Sequence, residues 1–415
     1  MPQPTPALPD EILEEIFLRL PPDEPACLVR ASLTSKLWLS LLFGPSFQGR
    51  YREFHGAPPM LGFVYSFGYK HSGPLFVSTT KFVAHLPNDE KFDVLDCRHG
   101  RILLGDKASV KPMTLLVCDP MTGYWMDLSA PKYGYYDGYV AAVLCTVNGC
   151  DHRSCHEGPF RVVFVGVHIS ADDSVTRARV ASLQMDEWSE PCSHLDEWSE
   201  PCSPLDLAEY AFIEQMPPVL VQDALYFMLT YLDEDHGDDH SEILEYHLGS
   251  HFLARIDVPI VDTDIDCDYV ILISMGDGSL GFAHVDRLTL NLWSRLVGSH
   301  GAAAWTHRTV INLENLLLPV LYLIITPRLI GSVEGRDIIF MNTHLGIYQI
   351  NLKSLQWKKI SREQSCDALF PYMRFYSRPE LVHKNNPETE VARETGACET
   401  GETGAWETPV ILLET

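Results

Sequence analysis

The chain has 415 residues, more than one hydrophobic core usually organises, so two unequal parts are expected. Its 56 acidic residues outweigh 31 basic ones and leave a formal charge of −25, which argues against a protein that neutralises nucleic-acid phosphates and suits a basic partner or simple solubility. The opening "MPQPTPALPDE" has neither a basic n-region nor an apolar h-region, and the longest apolar run, "LLLPVLYLIIT", is broken by Pro319 and too short to span a bilayer. The expectation is a chain of the cytoplasm or nucleus without a membrane segment. Its eleven cysteines are scattered and odd in number, as small core residues in a reducing compartment are.

From Leu8 to Phe43 the pattern predicts three short helices. In "LPDEILEEIFLRLPP", Ile12, Leu13, Ile16, Phe17 and Leu20 share one face at the helical period, acidic residues crowd the first turn, and Pro21-Pro22 ends the helix. A second begins near Pro25 and carries Cys27, Leu28 and Ala31. A third follows a cap at Thr34 or Ser35 and presents Leu37, Trp38, Leu41 and Leu42. Nineteen of these 36 residues are apolar, a surplus for so small a unit, so part of that surface wants a cover. A helical cap packed on the rest of the chain would supply one, a docked partner another.

The order of residues resembles an F-box, the helical module by which substrate receptors dock on the Skp adaptor of Cullin–RING ubiquitin ligases. The likeness takes in Leu8-Pro9, Ile12-Leu13, Ile16, Leu20-Pro21, Leu28 with Arg30, and Lys36 with Trp38. Where the family usually has Val-Cys before the lysine, this chain has Thr34-Ser35, a small polar change that weakens docking without abolishing it. The resemblance implies that these residues, with Leu42, meet the adaptor: an apolar ridge gives affinity while Arg30 and Lys36 set orientation, and Leu13, Ile16 and Trp38 are the costly truncations.

After "SFQGRYREFHGAPPMLGF" the pattern turns to short alternating or wholly apolar runs broken by Gly, Pro, Asn and Asp, among them "RILLGD", "TLLVCD", "FRVVFVGVHIS", "ALYFML", "YVILISM" and "GIYQINL". No long helix alternates with them, so the remainder reads as all-β. Aromatic residues recur after polar turns at Trp125, Trp188, Phe252, Trp293 and Trp357, spaced by 41 to 64 residues, near or somewhat beyond a propeller blade. Each is expected to fill the space between adjacent blades. The fold class is therefore mainly β: a three-helix F-box over 1–60, a β-propeller-like domain of about five or six blades over 61–380, and a disordered acidic tail over 381–415 with a stuttered "ETGA" theme. Together with "DCRHGRILL", "CDPMTGYW" and "GCDHRSCHEGPFRVVFVG", the F-box also resembles the plant F-box proteins with an associated β-domain that are expanded in grasses.

Several stretches imitate chemistry. "CTVNGCDHRSCHEG" sets Cys145, Cys150, His152, Cys155 and His156 close in sequence, but all lie in one loop, Cys155 and His156 are adjacent, and Cys145 ends an apolar run. A hairpin loop is the expectation, ahead of a zinc site. "DTDIDCDYVILI" lacks the glycine and glutamate of an EF-hand, with Cys267 and Ile273 in their places. "GDGSLG" leads into a strand, so no helix N-terminus waits for a pyrophosphate. "DEDHGDDH", 233–240, reads as a solvated acidic loop. Nothing selects a catalytic group, a cofactor or a metal.

The near-duplicate "DEWSEPCSHLDEWSEPCSPL", 186–205, has one obvious slot for two copies, and reads as a surface loop lengthened by tandem duplication. The expected function is a non-catalytic receptor: the F-box docks on the Skp adaptor, and through it on Cullin and RING subunits, while the β-domain grips a target protein. The alternatives are a ligand-binding or enzymatic propeller with a helical cap, and a receptor whose target-binding domain is impaired.

Overall fold

The computed structural model describes residues 8–376 apart from 66–72, 88, 107–113, 132–137, 148, 151, 153–154, 156–157, 170–173, 184–197, 208–210, 232–239, 261–268, 298–302, 314–326 and 365. Four helices precede twenty-four strands among the described residues. Helix α1 (Asp10–Phe17) starts behind Pro9 with Asp10 and Glu11 in its first turn, where the helix dipole favours carboxylates. Helix α2 (Pro25–Ser32) opens on a proline, which has no amide hydrogen to leave unpaired there. Ser35 caps α3 (Lys36–Leu42), its side chain accepting the Trp38 amide at 3.2 Å. The sequence reading stops at three helices and misses α4 (Pro45–His55). Its buried face is only Phe47, Gln48 and Tyr51, too sparse and too polar to register as an apolar period.

The strands form six sheets in chain order, the upper end of the expected range. The first holds β1 (Met60–Tyr65) and β2 (Leu75–Ser78); the second β3 (Phe92–Arg98), β4 (Arg101–Asp106), β5 (Thr114–Asp119) and β6 (Tyr124–Ser129). The third is β7 (Gly138–Cys145), β8 (Phe160–Ile169), β9 (Ser174–Leu183) and β10 (Leu205–Leu207). The fourth combines β11 (Ala211–Ile213), β12 (Val219–Val221), β13 (Ala224–Tyr231), β14 (His240–His247) and β15 (Phe252–Asp257). The fifth is β16 (Val270–Ser274), β17 (Leu280–Asp286), β18 (Thr289–Val297) and β19 (Ala303–Asn312); the sixth β20 (Arg328–Val333), β21 (Ile338–Thr343), β22 (Gly346–Asn351) and β23 (Trp357–Ser361). The last strand, β24 (Phe370–Met373), returns to the first sheet and pairs antiparallel with β1, Val64 facing Phe370 and Met60 facing Met373. That pairing closes a six-bladed propeller and removes its open edges.

Six apolar layers lie between consecutive blades. Between the second and third, for example, Leu103, Leu115 and Val117 meet Val143, Val162 and Phe164; between the fifth and sixth, Ile271, Ala283 and Leu292 meet Ile339 and Met341. The other four are built alike. Because each sheet is covered on both faces, strands such as β13 and β16 are buried along their whole length, which is why they read as unbroken apolar runs. In the fourth blade the innermost strand is split: β11 and β12 both pair with β13, separated by a stretch containing Pro217-Pro218, which cannot donate to a ladder.

The aromatic residues correct one expectation. Trp125, Phe252 and Trp357 open the outermost strands of their blades and stay 43%, 57% and 46% exposed, so they do not fill inter-blade gaps. Trp293 lies in the third strand of its blade and does pack on an inter-blade layer, with Phe282 at 5.8 Å. Trp188, the first copy of the duplicated segment, the acidic stretch 233–240 apart from His240, the calcium-like 262–268 and the tail 381–415 lie outside the described residues.

The second copy of the duplication is described from Trp198 onward, and that part is committed. Ser199 makes a two-bond bridge with Val180 of β9, Trp198 packs on the layer between the second and third blades, and Glu200 receives Arg177 at 3.0 Å and Arg179 at 2.6 Å. One carboxylate of the segment read as a surface loop therefore holds two arginines.

Candidate functional site

The helices sort the predicted docking residues into two groups. Leu13, Leu28 and Leu42 face inward, joining Phe17, Leu18, Phe47 and Tyr51 in a small core, with Leu20 and Trp38 half-buried against it. Trp38 meets Phe17 edge to face at 4.9 Å. Leu8, Pro9, Ile12, Ile16, Pro21, Arg30 and Lys36 are exposed. Ile12 and Ile16, four residues apart, form an apolar ridge on α1 at 48% exposure each, and Leu8, just before the helix, is 54% exposed. Leu33 at 78% and Leu37 at 53% add apolar surface that the sequence reading left out of the docking set. Covering each such half-exposed side chain is worth roughly 1 kcal/mol. Arg30 folds back on its own helix, donating from Nε to the Ala26 oxygen at 3.2 Å.

Leu13 therefore differs from its sequence assignment. At 6% exposure it is a core residue, and its truncation would collapse the helices rather than strip a contact.

The helices are fastened to the propeller at the closing blade. Phe375, two residues past β24, is buried in the helical core and meets Tyr51 at 6.1 Å, while Tyr376 meets Phe43 at 6.4 Å. Tyr51 also donates its hydroxyl to the Leu20 oxygen at 2.9 Å, and Gln48 Nε2 donates to the Leu42 oxygen at 2.7 Å. From the other chain direction, Arg336 Nη2 donates to the Pro58 oxygen at 2.9 Å. Since β24 serves as innermost strand and β1 as its neighbour, the helices join the face that carries the turns between first and second strands of the blades.

At that face the central channel opens into a cavity of about 550 Å³ whose wall includes Arg98, His99, His152, Pro218, Tyr226 and Glu334. Its buried cation is already spent. Arg98 Nη1 donates to Asp96 at 2.6 Å, Nε to Glu334 at 2.7 Å and Nη2 to the Pro218 oxygen, so one side chain joins the second, fourth and sixth blades. Asp96 in turn accepts the Val143 amide of the third blade at 2.8 Å. Burial pushes the His99 imidazolium down to about 3, with His152, Arg98 and Arg101 adding repulsion, which keeps that ring neutral. The cavity thus presents the neutral His99 ring and an arginine held between two carboxylates.

The β7–β8 connection departs from the plain hairpin loop expected. Sulfurs of Cys145, Cys150 and Cys155 and a ring nitrogen of His152 lie within 4.8 Å of one another, while His156 lies outside the described residues. "GDGSLG" is the turn between β16 and β17, with Asp277 accepting the Ser279 amide at 3.0 Å.

The F-box domain family model matches residues 6–47, which span α1 to α3 and the start of α4. The chain carries an F-box domain followed by a six-bladed β-propeller. No curated protein matches it in sequence. Among solved structures it is similar to an α-L-arabinofuranosidase, Arb93A, from Fusarium graminearum, at 9% identity over 72% of this chain and 85% of that one, TM-score 0.36. A quinonprotein alcohol dehydrogenase-like protein from Bacteroides thetaiotaomicron gives 12%, 72% and 63%, TM-score 0.33. Drosophila Semaphorin 2a gives 7%, 70% and 60%, TM-score 0.31. Likenesses at this level say nothing of what this chain does.

Proposed function

We propose that this chain is a non-catalytic substrate receptor of an SCF-type ubiquitin ligase. Its F-box docks on the Skp adaptor, which connects it to Cullin and RING subunits, and its propeller holds a target protein. The observation that carries the reading is the apolar ridge of Ile12 and Ile16, with Leu8 just before it, left half-exposed on a segment that matches the F-box domain while Leu13, Leu28 and Leu42 make the helical core. Leu33 and Leu37 extend the docking surface, and Arg30 and Lys36 flank it.

The physical contribution is tethering. Holding a target lysine near the charged ubiquitin carrier raises its effective concentration, and the bond chemistry belongs to other subunits. The six complete inter-blade layers support an intact receptor domain despite the duplication, and the resemblance of "DCRHGRILL" and "CDPMTGYW" to grass-type receptors supports a plant setting. The channel cavity favours a second reading, a small-ligand propeller, but every terminal nitrogen of Arg98 is committed within the protein.

The test is binding of the purified full chain to purified Skp adaptor by calorimetry, comparing wild type with Ile12→Asp and Ile16→Asp. Both substitutions place a charge at a surface position, so melting temperature should stay put while affinity falls at least about a hundredfold. A wild-type chain that does not bind, or variants that bind as tightly, would overturn the proposal. Leu13→Asp is unsuitable, because it unfolds the helices whether or not an adaptor exists.

A further inference from the structure

We propose that the loop joining β7 to β8 is a structural zinc site, with Cys145, Cys150, His152 and Cys155 as its four ligands. The donor set is a Cys3His combination, the soft thiolate and imidazole chemistry that selects zinc. Its atoms converge from the end of β7 and the connection 146–159, and all four lie within 4.8 Å of one another. A tetrahedral zinc with ordinary bond lengths separates a sulfur from a nitrogen ligand by about 3.6 Å. Cys155 Sγ and His152 Nδ1 stand 3.6 Å apart.

The backbone is arranged for anionic sulfur as well. The Val147 amide points at Cys145 Sγ at 3.3 Å, and the His152 amide at Cys150 Sγ at 3.4 Å, each two residues beyond the cysteine it serves. Such N–H donors stabilise a thiolate and serve as the outer shell that orients a metal ligand. Gly149 at φ 65° and His152 at φ 58° sit in the left-handed region, which reverses the chain tightly enough to return Cys150 and His152 toward Cys145.

The loop is also held from outside. Arg101 of β4, buried at 2% exposure, donates Nη1 to the Cys155 oxygen at 3.2 Å and Nη2 to the Gly158 oxygen at 2.7 Å, with its guanidinium 4.6 Å from the centre of the Phe160 ring. Three thiols lose their protons on binding, so zinc with three thiolates and a neutral imidazole carries one net negative charge, and the adjacent guanidinium balances it. Four protein ligands leave no open position, which makes the site structural. What it fixes is the channel rim: the His152 ring lies 4.4 Å from that of His99, and both line the cavity.

The experiment uses the full chain, purified under reducing conditions and measured by elemental analysis. Wild type and Cys27→Ser, a cysteine in α2, should carry about one zinc each, while Cys150→Ser and His152→Ala should lose most of it. Reconstitution of the wild type with cobalt should give thiolate charge-transfer absorption and the intense ligand-field bands of tetrahedral coordination. Should either variant fail to fold, the wild-type cobalt spectrum decides alone. A metal-free wild type, weak octahedral cobalt bands, zinc retained by both variants, or a disulfide among Cys145, Cys150 and Cys155 would each overturn the proposal.

Discussion

The Trp198 indole donates to the backbone oxygen of Ser129 at 2.7 Å, tying the outer part of the third blade to the last residue of the second. Trp305 repeats the relationship, donating to the Asp257 oxygen at the end of the fourth blade from the outermost strand of the fifth at 2.8 Å. In both cases the ring covers an inter-blade layer while its one polar group finds a partner, the arrangement that lets tryptophan be packed at a seam without an unpaired N–H. These two sealing tryptophans are ones the recurrence argument passed over, whereas Trp293 on the same layer as Trp305 is one it included.

This locates the working copy of the duplication. Deleting 186–195 brings β9 and Trp198 into a shorter connection and should leave the melting temperature within about 2 °C of wild type. Trp198→Ala in the deleted chain should cost about 2 to 3 kcal/mol in denaturant unfolding. In the undeleted chain the same substitution should cost less, because Trp188 in the identical "DEWSEP" context can slide into the vacated slot. Equal penalties in the two backgrounds would show that the first copy offers no substitute.

Arg98 gives a second prediction. Arg98→Met removes the links to Asp96, Glu334 and Pro218 and leaves a buried carboxylate without its counter-charge, at a cost of about 3 to 5 kcal/mol. Arg98→Met with Asp96→Asn should recover a substantial part of that loss in the same unfolding measurement. Failure to recover would mean that the tie to Glu334 across the channel, rather than the burial of Asp96, dominates.

How far the sequence reached follows from separation along the chain. Helix starts at Asp10, Pro25 and Lys36 are local events written in Pro9, Pro25 and Ser35, and they were legible. The strands were legible because burial on two faces makes their apolar runs continuous. The count of six blades was not settled in advance, since it depends on β24 finding β1 some three hundred residues away, and Arg98 reaches Glu334 over 236 residues. Helix α4 escaped because it buries so little apolar surface. The cysteine spacing was visible, but the left-handed turns at Gly149 and His152 that gather the sulfurs were not.

Phe375 anchors the helices to the last strand of the propeller. At 1% exposure in the helical core, its truncation to alanine should cost about 3 kcal/mol. The loss should be local: hydrogen exchange should quicken in α1 to α4 and leave β13 and β16 protected as before. Uniformly faster exchange across the blades would instead make the helices part of one cooperative unit with the propeller.

The Thr34-Ser35 pair allows docking and folding to be separated. Both residues are exposed, Thr34 donating its hydroxyl to the Arg30 oxygen at 3.4 Å and Ser35 capping α3 through the Trp38 amide. Ser35→Ala should therefore cost about 1 kcal/mol of helical stability. Thr34→Val leaves that cap in place and exchanges a hydroxyl for a methyl beside Leu33, so on the docking reading it should tighten Skp binding several-fold in calorimetry with little change in melting temperature. If Thr34→Val left affinity unchanged while Ile16→Asp abolished it, the adaptor would be meeting the α1 ridge alone, and Leu33 would be free for a different contact.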